Sequence, residues 1–310
     1  MLQVPATTEN ICAVIAVTEQ ESLFEADPHV PGLPQIAEKE MQEQLGADSV
    51  RRWALDAAHS LRSRDGRTFR ERLDRVRTER ELSEIFEELI SLVPMGNKLL
   101  AGKNPIRTGG AMQVSVAFAK EHARIRPYPY HIATSIRREV FTRRGSLYFG
   151  TAHLLDYPTE YDHPIYRFAD YNAGRYASRN AAFQTALSLV SGIPIVPDGD
   201  LLIWRDGLPV TNAGATVAAA SAFAQRLGLT PEGVVRDLLQ EKTESFATTP
   251  LYQRTFELAT TLRGQSLPVP VAVLPRIDLK GPKIKRPFTT EWFASRVDRR
   301  YRRCLDRSGS

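Results

Sequence analysis

Apolar residues recur at helical spacing along most of this chain, and strand-like alternation is rare. Residues 8–23 read as a helix with Ile11, Val14, Ile15 and Thr18 on one face, broken by Asp27-Pro28 and Val30-Pro31-Gly32. From Gln35 to Leu92 the pattern is helical and heavily charged. Asp48 is placed to cap a helix carrying Val50, Trp53 and Leu55, Asp65-Gly66 marks a turn, and an amphipathic helix runs from Glu81 to Leu92 before Pro94. Gly102 to Gly110 reads as a loop, Gln113 to His122 as a helix, and Ile136–Leu155 and Ile165–Ser191 as two long helices.

After Gly192 the texture changes. Leu201 to Thr211 predicts a short β-hairpin, Ala215 to Leu227 a helix, and Thr230-Pro231 the start of another. Leu267 to Pro287 is proline-rich and reads as extended chain over the surface, and a basic helix from Thr289 to Leu305 follows. The fold class is mainly α.

Composition narrows the partners only a little. Hydrophobic content of 42%, charged content of 25% and a net charge of +5 are those of a globular protein. The basic residues are dispersed and form no nucleic-acid module, so no nucleic-acid partner is expected. No apolar run nears the roughly 18 residues of a membrane span. Residues 1–10 lack a positive n-region, which leaves a cytosolic protein or one whose leader has been cut away. Cys12 and Cys304 lack metal-site spacing and are either two buried thiols or one bridge. Neither a metal nor another cofactor is expected.

Three short motifs carry the candidate chemistry: Glu21-Ser22 at the end of the first helix, Gly110-Ala111-Met112-Gln113, and Tyr171-Asn172-Ala173-Gly174. The last interrupts a helical pattern with a glycine, at a cost of about 1 kcal/mol relative to alanine in a helix interior. Taken in order, with Gly150-Thr151-Ala152-His153-Leu154 where a Gly-x-x-Tyr-Leu element would stand, they resemble the lytic transglycosylases, which share the lysozyme fold with goose-type lysozymes. The whole sequence also resembles an uncharacterised family of bacterial lipoproteins. The resemblance implies a lysozyme-like core of residues 1–33 and 105–191, a helical insertion over 34–104, and a C-terminal extension over 192–310 that contains the hairpin and wraps the core.

The same resemblance implies a function: cleavage of the MurNAc–GlcNAc bond of peptidoglycan to a 1,6-anhydro product, with Glu21 as acid and then base. Tyr171 would orient Glu21. Ser22, Gly110, Met112, Gln113 and Asn172 would line the substrate cleft. The residues themselves support Glu21, which ends a helix on the face of Val14 and Thr18, where burial and the helix C-terminus both raise a carboxyl pKa. A periplasmic or outer-membrane-anchored location and possible cell-envelope partners follow from the resemblance alone. Departures are the long interval before Gly110, Asp170 in place of an alanine, and Ser146 in place of an asparagine. No second catalytic carboxylate is evident; Asp27 and Asp170 are the candidates. The alternatives are a wall-binding or scaffold lipoprotein that has lost activity, and an unrelated helical interaction protein.

Overall fold

The computed structural model describes residues 2–45, 59–92, 104–205, 207–264, 269–279 and 288–309. The expected cap Asp48, the terminator Pro94 and hairpin residue Asp206 lie outside them. The described chain is mainly helical, and no described helix is long and apolar enough to cross a membrane. Its strands pair only as three two-stranded antiparallel ribbons. The chain divides into two compact units, residues 1–3 and 17–152 (unit 1) and residues 4–16 and 153–310 (unit 2). Helix α1 (Thr8–Ser22) contributes to both.

Within α1 the buried face is not the one that periodicity suggests. Ile11 and Ile15 are exposed, whereas Cys12, Ala13, Ala16 and Val17 are buried. Small side chains let a helix approach its neighbours closely, so bulk is not the guide to the inward face here. Val17 and Thr18 are both buried, which leaves Glu21, four and three residues further on, at the end of the buried stripe.

Unit 1 continues with α2 (Leu33–Leu45), α3 (Phe69–Leu73) and α4 (Glu79–Leu92). Thr68 and Glu71 form a capping box at the start of α3. Thr78 and Glu81 form the same device on α4: the Glu81 N–H donates to Thr78 Oγ1 at 3.2 Å, and the Thr78 N–H donates to Glu81 Oε2 at 3.3 Å. Leu33, Phe69, Leu82, Ile85, Ile106 and Phe141 bury their side chains together, each such burial contributing roughly 1.5–3 kcal/mol. A short ribbon, β1 (Thr108–Gly109) with β2 (Val114–Ser115), leads into α5 (Val116–Ile125), which Ser115 caps through the Phe118 N–H. The helix expected from Gln113 therefore starts three residues later, because Gln113 belongs to the tip of the ribbon. The long helix expected over 136–155 is two, α6 (Ile136–Val140) and α7 (Arg143–Leu155). Thr142 makes the break: its hydroxyl donates to the Glu139 carbonyl at 2.8 Å and accepts from the Gly145 N–H at 2.9 Å.

In unit 2, α8 (Pro164–Ala173) packs on the C-terminal helix α13 (Thr290–Ser308), with the Phe168 and Tyr301 rings 5.6 Å apart. A disulfide joins Cys12 to Cys304, with Cα atoms 5.5 Å apart, which decides between two thiols and a bridge. Helix α9 (Ala177–Ser191) is buried along most of its length and packs against α10 (Ala215–Phe223) and α12 (Pro250–Arg263). Its buried polar residues are all partnered, as low dielectric demands. Arg179 donates to the carbonyls of Glu241 and Thr243, and Gln184 donates to Asp198, the Asp200 carbonyl and Thr216. The hairpin forms as expected, from β3 (Ile203–Arg205) and β4 (Leu208–Val210). Helix α11 (Pro231–Leu238) begins with the expected Thr230 cap and Pro231. Residues 269–277 run without regular structure and hydrogen-bond to Ser178 and Pro197 before β5 (Asp278–Leu279) pairs with β6 (Phe288–Thr289).

Candidate active site

Glu21 lies in the last turn of α1. The residue keeps intermediate exposure, but its carboxyl group lies among protein atoms, and that burial pushes its pKa up to about 8. The helix ends abruptly beyond it. Leu23 and Phe24 take φ values of 53° and 69°, a left-handed conformation that costs a non-glycine residue about 1 kcal/mol or more. Both present apolar side chains to solvent, Leu23 at 70% and Phe24 at 51% exposure.

Ser22 ties this helix end to the second motif. Its hydroxyl donates to the Ala111 carbonyl at 2.7 Å, across 89 residues of sequence. Gly110 to Gln113 form the turn at the tip of the β1–β2 ribbon, closed by the Gln113 N–H donating to the Gly110 carbonyl at 2.9 Å. The turn is seated from below. The Met112 N–H donates to Ser146 Oγ at 2.9 Å, and a Cβ on Gly150 would stand 2.4 Å from Met112 Sδ. Ser146 thus receives the motif's backbone from α7. The paired glycines serve this internal packing. A Cβ on Gly109 would enter the Phe141 ring, and one on Gly110 would lie 2.2 Å from the Val140 carbonyl oxygen.

Gln113 is itself left-handed, at φ 49°. Its carboxamide is held at both ends: Thr108 Oγ1 donates to Oε1 at 3.1 Å, and Nε2 donates to the buried Glu79 carboxylate at 3.2 Å. Asp27, one of the two candidate second carboxylates, pairs with Arg80 at 3.3 Å.

Tyr171 and Asn172 belong to unit 2. Tyr171 is buried, its ring centroid 5.1 Å from that of His153. Burial and the Arg175 charge push His153 down to about 4, so it is neutral near pH 7. Asn172 is half-buried, and its Oδ1 accepts from the Thr290 hydroxyl at 3.1 Å. The single helix expected over 165–191 stops at Ala173, because Gly174 takes φ 109°, and the chain resumes as α9 only after a left-handed Tyr176. A Cβ on Gly174 would meet nothing within 4 Å, so the glycine serves the backbone turn and not the close approach of another group.

Asp170 organises that turn. Its carboxylate accepts from the N–H groups of Tyr176 and Ser178 and from the hydroxyls of Tyr157 and Tyr161, at 2.7 to 3.1 Å. The acid at this position satisfies open N–H groups at the start of α9. Burial pushes Asp170 up, opposed by the Ser178 and Tyr161 donors. Asp170→Ala strands these donors in the interior and is expected to lower unfolding stability by about 3–5 kcal/mol, read from the shift in a urea denaturation curve.

Residues 1–307 match a family described as "Protein of unknown function (DUF1615)". The chain belongs to the DUF1615 family. It is similar to "Uncharacterized protein YaiW" of Escherichia coli (strain K12), 48% identical over 299 residues that cover 96% of this chain and 80% of that protein. No solved structure matches it.

Three groups that build the site in this DUF1615 chain carry no motif signal. Thr108 falls within the Gly102–Gly110 stretch that reads as a loop. Ser146 reads as a departure from a pattern. Glu79 falls just before the helix expected from Glu81, as one more charge in a heavily charged stretch. Gly110, unlike these three, has its need written in the backbone. Gly110→Ala places a Cβ against a carbonyl at φ 74° and is expected to cost about 2–4 kcal/mol, seen as a lowered thermal midpoint.

Proposed function

We propose that this DUF1615 protein is a lytic transglycosylase that cleaves peptidoglycan glycan strands with Glu21 as its acid and base. The observation that carries the reading is the Glu21 carboxyl: desolvated, raised to about 8, and joined through Ser22 to the Gly110–Gln113 turn. A carboxyl with that pKa is protonated at neutral pH and ready to donate. It protonates the oxygen between N-acetylmuramic acid and N-acetylglucosamine, and the bond to the anomeric carbon breaks through an oxocarbenium-like state. The resulting carboxylate takes the proton of the muramic acid C6 hydroxyl, whose oxygen closes on the anomeric carbon. The product is a 1,6-anhydro sugar, and no water is consumed. The two candidate second carboxylates are otherwise engaged, Asp27 with Arg80 and Asp170 with the start of α9, which favours this route over one needing a separate base. The roles of Tyr171 and Asn172 rest on the resemblance alone.

The Cys12–Cys304 disulfide supports an oxidising compartment, and hence export to the periplasm or to an anchored position at the outer membrane, where the substrate and other envelope proteins reside. Digestion of purified peptidoglycan followed by mass spectrometry tests the reaction. Anhydro-ended fragments support it, and fragments heavier by one water indicate a hydrolase. One observation favours a wall-binding protein without turnover: the Asn172 carboxamide oxygen is already taken by Thr290. Sedimentation with peptidoglycan in the absence of any released fragment is the signature of that second reading.

A further inference from the structure

We infer that Glu79, supplied by the segment between the first two motifs, is the positioning residue that fixes the Gln113 carboxamide toward a bound glycan. The inference rests on the glycan-cleaving reading for its chemistry, and on the hydrogen bonds within unit 1 for its geometry. A primary carboxamide has two N–H donors and two acceptor lone pairs. Thr108 occupies one lone pair of Gln113, and Glu79 accepts one N–H, leaving one donor and one acceptor. The Thr108 hydroxyl can either donate or accept, but the Glu79 carboxylate can only accept, so a flipped amide would set its oxygen against the carboxylate, acceptor against acceptor. Its free donor and acceptor are therefore held at defined places, as suits a sugar hydroxyl or acetamido group.

Glu79 is itself fixed. It opens α4, which the Thr78–Glu81 capping box locks at its start. The same turn is stitched to the chain just after Glu21. The Val30 N–H donates to the Arg77 carbonyl at 2.9 Å, His29 pairs with Thr78 as an isolated β-bridge, and Arg80 meets Asp27. Together with Ser22 on Ala111, these bonds close a circuit from the acid-bearing helix end through the motif turn, Gln113 and Glu79 back to residues 27–30. The 34–104 segment, which has no counterpart in the transglycosylase pattern, thereby contributes directly to the geometry of the motifs. Because its carboxylate holds Gln113, Glu79 acts as a positioning group and not as a second base.

Two measurements test this. In the first, the Gln113 side-chain amide is followed by NMR in protein labelled with ¹⁵N, free and with chitotetraose as the probe. Glu79→Ala should move both Gln113 Nε2–H resonances and speed their exchange with solvent, while Glu79→Gln, whose carbonyl can still accept, should largely restore them. Unchanged resonances in Glu79→Ala overturn the inference whether or not the protein is catalytic. In the second, with wild type that turns over peptidoglycan, Glu79→Ala should raise KM and lower kcat/KM by about 10–100-fold, with Glu79→Gln recovering most of the loss. The control is Glu38→Ala, on the solvent side of α2 in a pair with Arg70. Kinetics of Glu79→Ala matching that control also overturn the inference. A wild type without turnover defeats the transglycosylase reading and leaves the NMR result to decide Glu79.

Discussion

Glu21→Gln is expected to abolish release of anhydro-ended fragments from peptidoglycan, lowering turnover by about three to four orders of magnitude. Glutamine keeps the shape of the side chain and has no acidic proton to give. The wild type should also show a characteristic pH profile. Because the acid must be protonated, kcat/KM should fall about tenfold per pH unit once pH rises above the Glu21 pKa of about 8. Folding stability should carry the same signature. The folded-state pKa lies above the ordinary 4.5, so the native state holds an extra proton between the two values, and stability falls as pH rises through that window. After allowance for its partial exposure, the loss is on the order of 2–4 kcal/mol, and Glu21→Gln should be correspondingly more stable than wild type at pH 8.5. His153 acts in the opposite sense: buried neutral, it contributes stability that is lost as pH falls from its ordinary 6.5 toward 4. Thermal melts of wild type and Glu21→Gln across pH 4 to 9 separate the two groups, since only the decline with rising pH between about 4.5 and 8 should disappear in the variant. A catalytically competent Glu21→Gln would remove the acid from the mechanism.

Removal of the Cys12–Cys304 bridge is expected to be a large structural perturbation that leaves the candidate site residues themselves unchanged. The bond closes a sequence separation of 292 residues, so it restricts the unfolded chain strongly. Cys12→Ser with Cys304→Ser, or reduction of the wild type, should lower unfolding stability by about 2–5 kcal/mol, observed as a fall in Tm that is absent when the double variant is itself treated with reductant. An unchanged Tm would mean that packing alone holds α1 and α13 without the bond.

Much of this fold was legible because its causes are local. The helices with strong periodicity and good caps stand where the pattern puts them, as with Thr230-Pro231 and the hairpin around Gly207. The breaks were not legible, because they depend on side chains that act at a distance. Nothing in residues 174–178 alone announces that Asp170 will draw in the Tyr176 and Ser178 N–H groups and split one helix into two. The inward face of α1 was misread because Ile11 and Ile15 outweigh four smaller residues on any hydrophobicity scale, while packing favours the small ones. For the site, motif order singled out Glu21 and the Gly110–Gln113 turn, whereas Glu79 stayed hidden. It lies 34 residues from its partner, in a helix whose charged pattern looks like a solvated surface.

The composition of unit 2 bears on how the chain is made. Unit 2 draws on residues 4–16 and on residues 153–310, and its bridge needs Cys304. On a ribosome or at a translocation pore, the first of these residues emerge long before the last, and their own partners do not yet exist. Residues 17–152 form a nearly continuous stretch and have theirs at hand far sooner. Until α13 appears, the thiol of Cys12 is exposed to any oxidant or passing cysteine. Closing the bridge is therefore expected to come late in synthesis and to need an oxidant, and reduced chains should be cut by protease first within residues 4–16 and α13, while described elements of unit 1 such as α4 and α5 are spared.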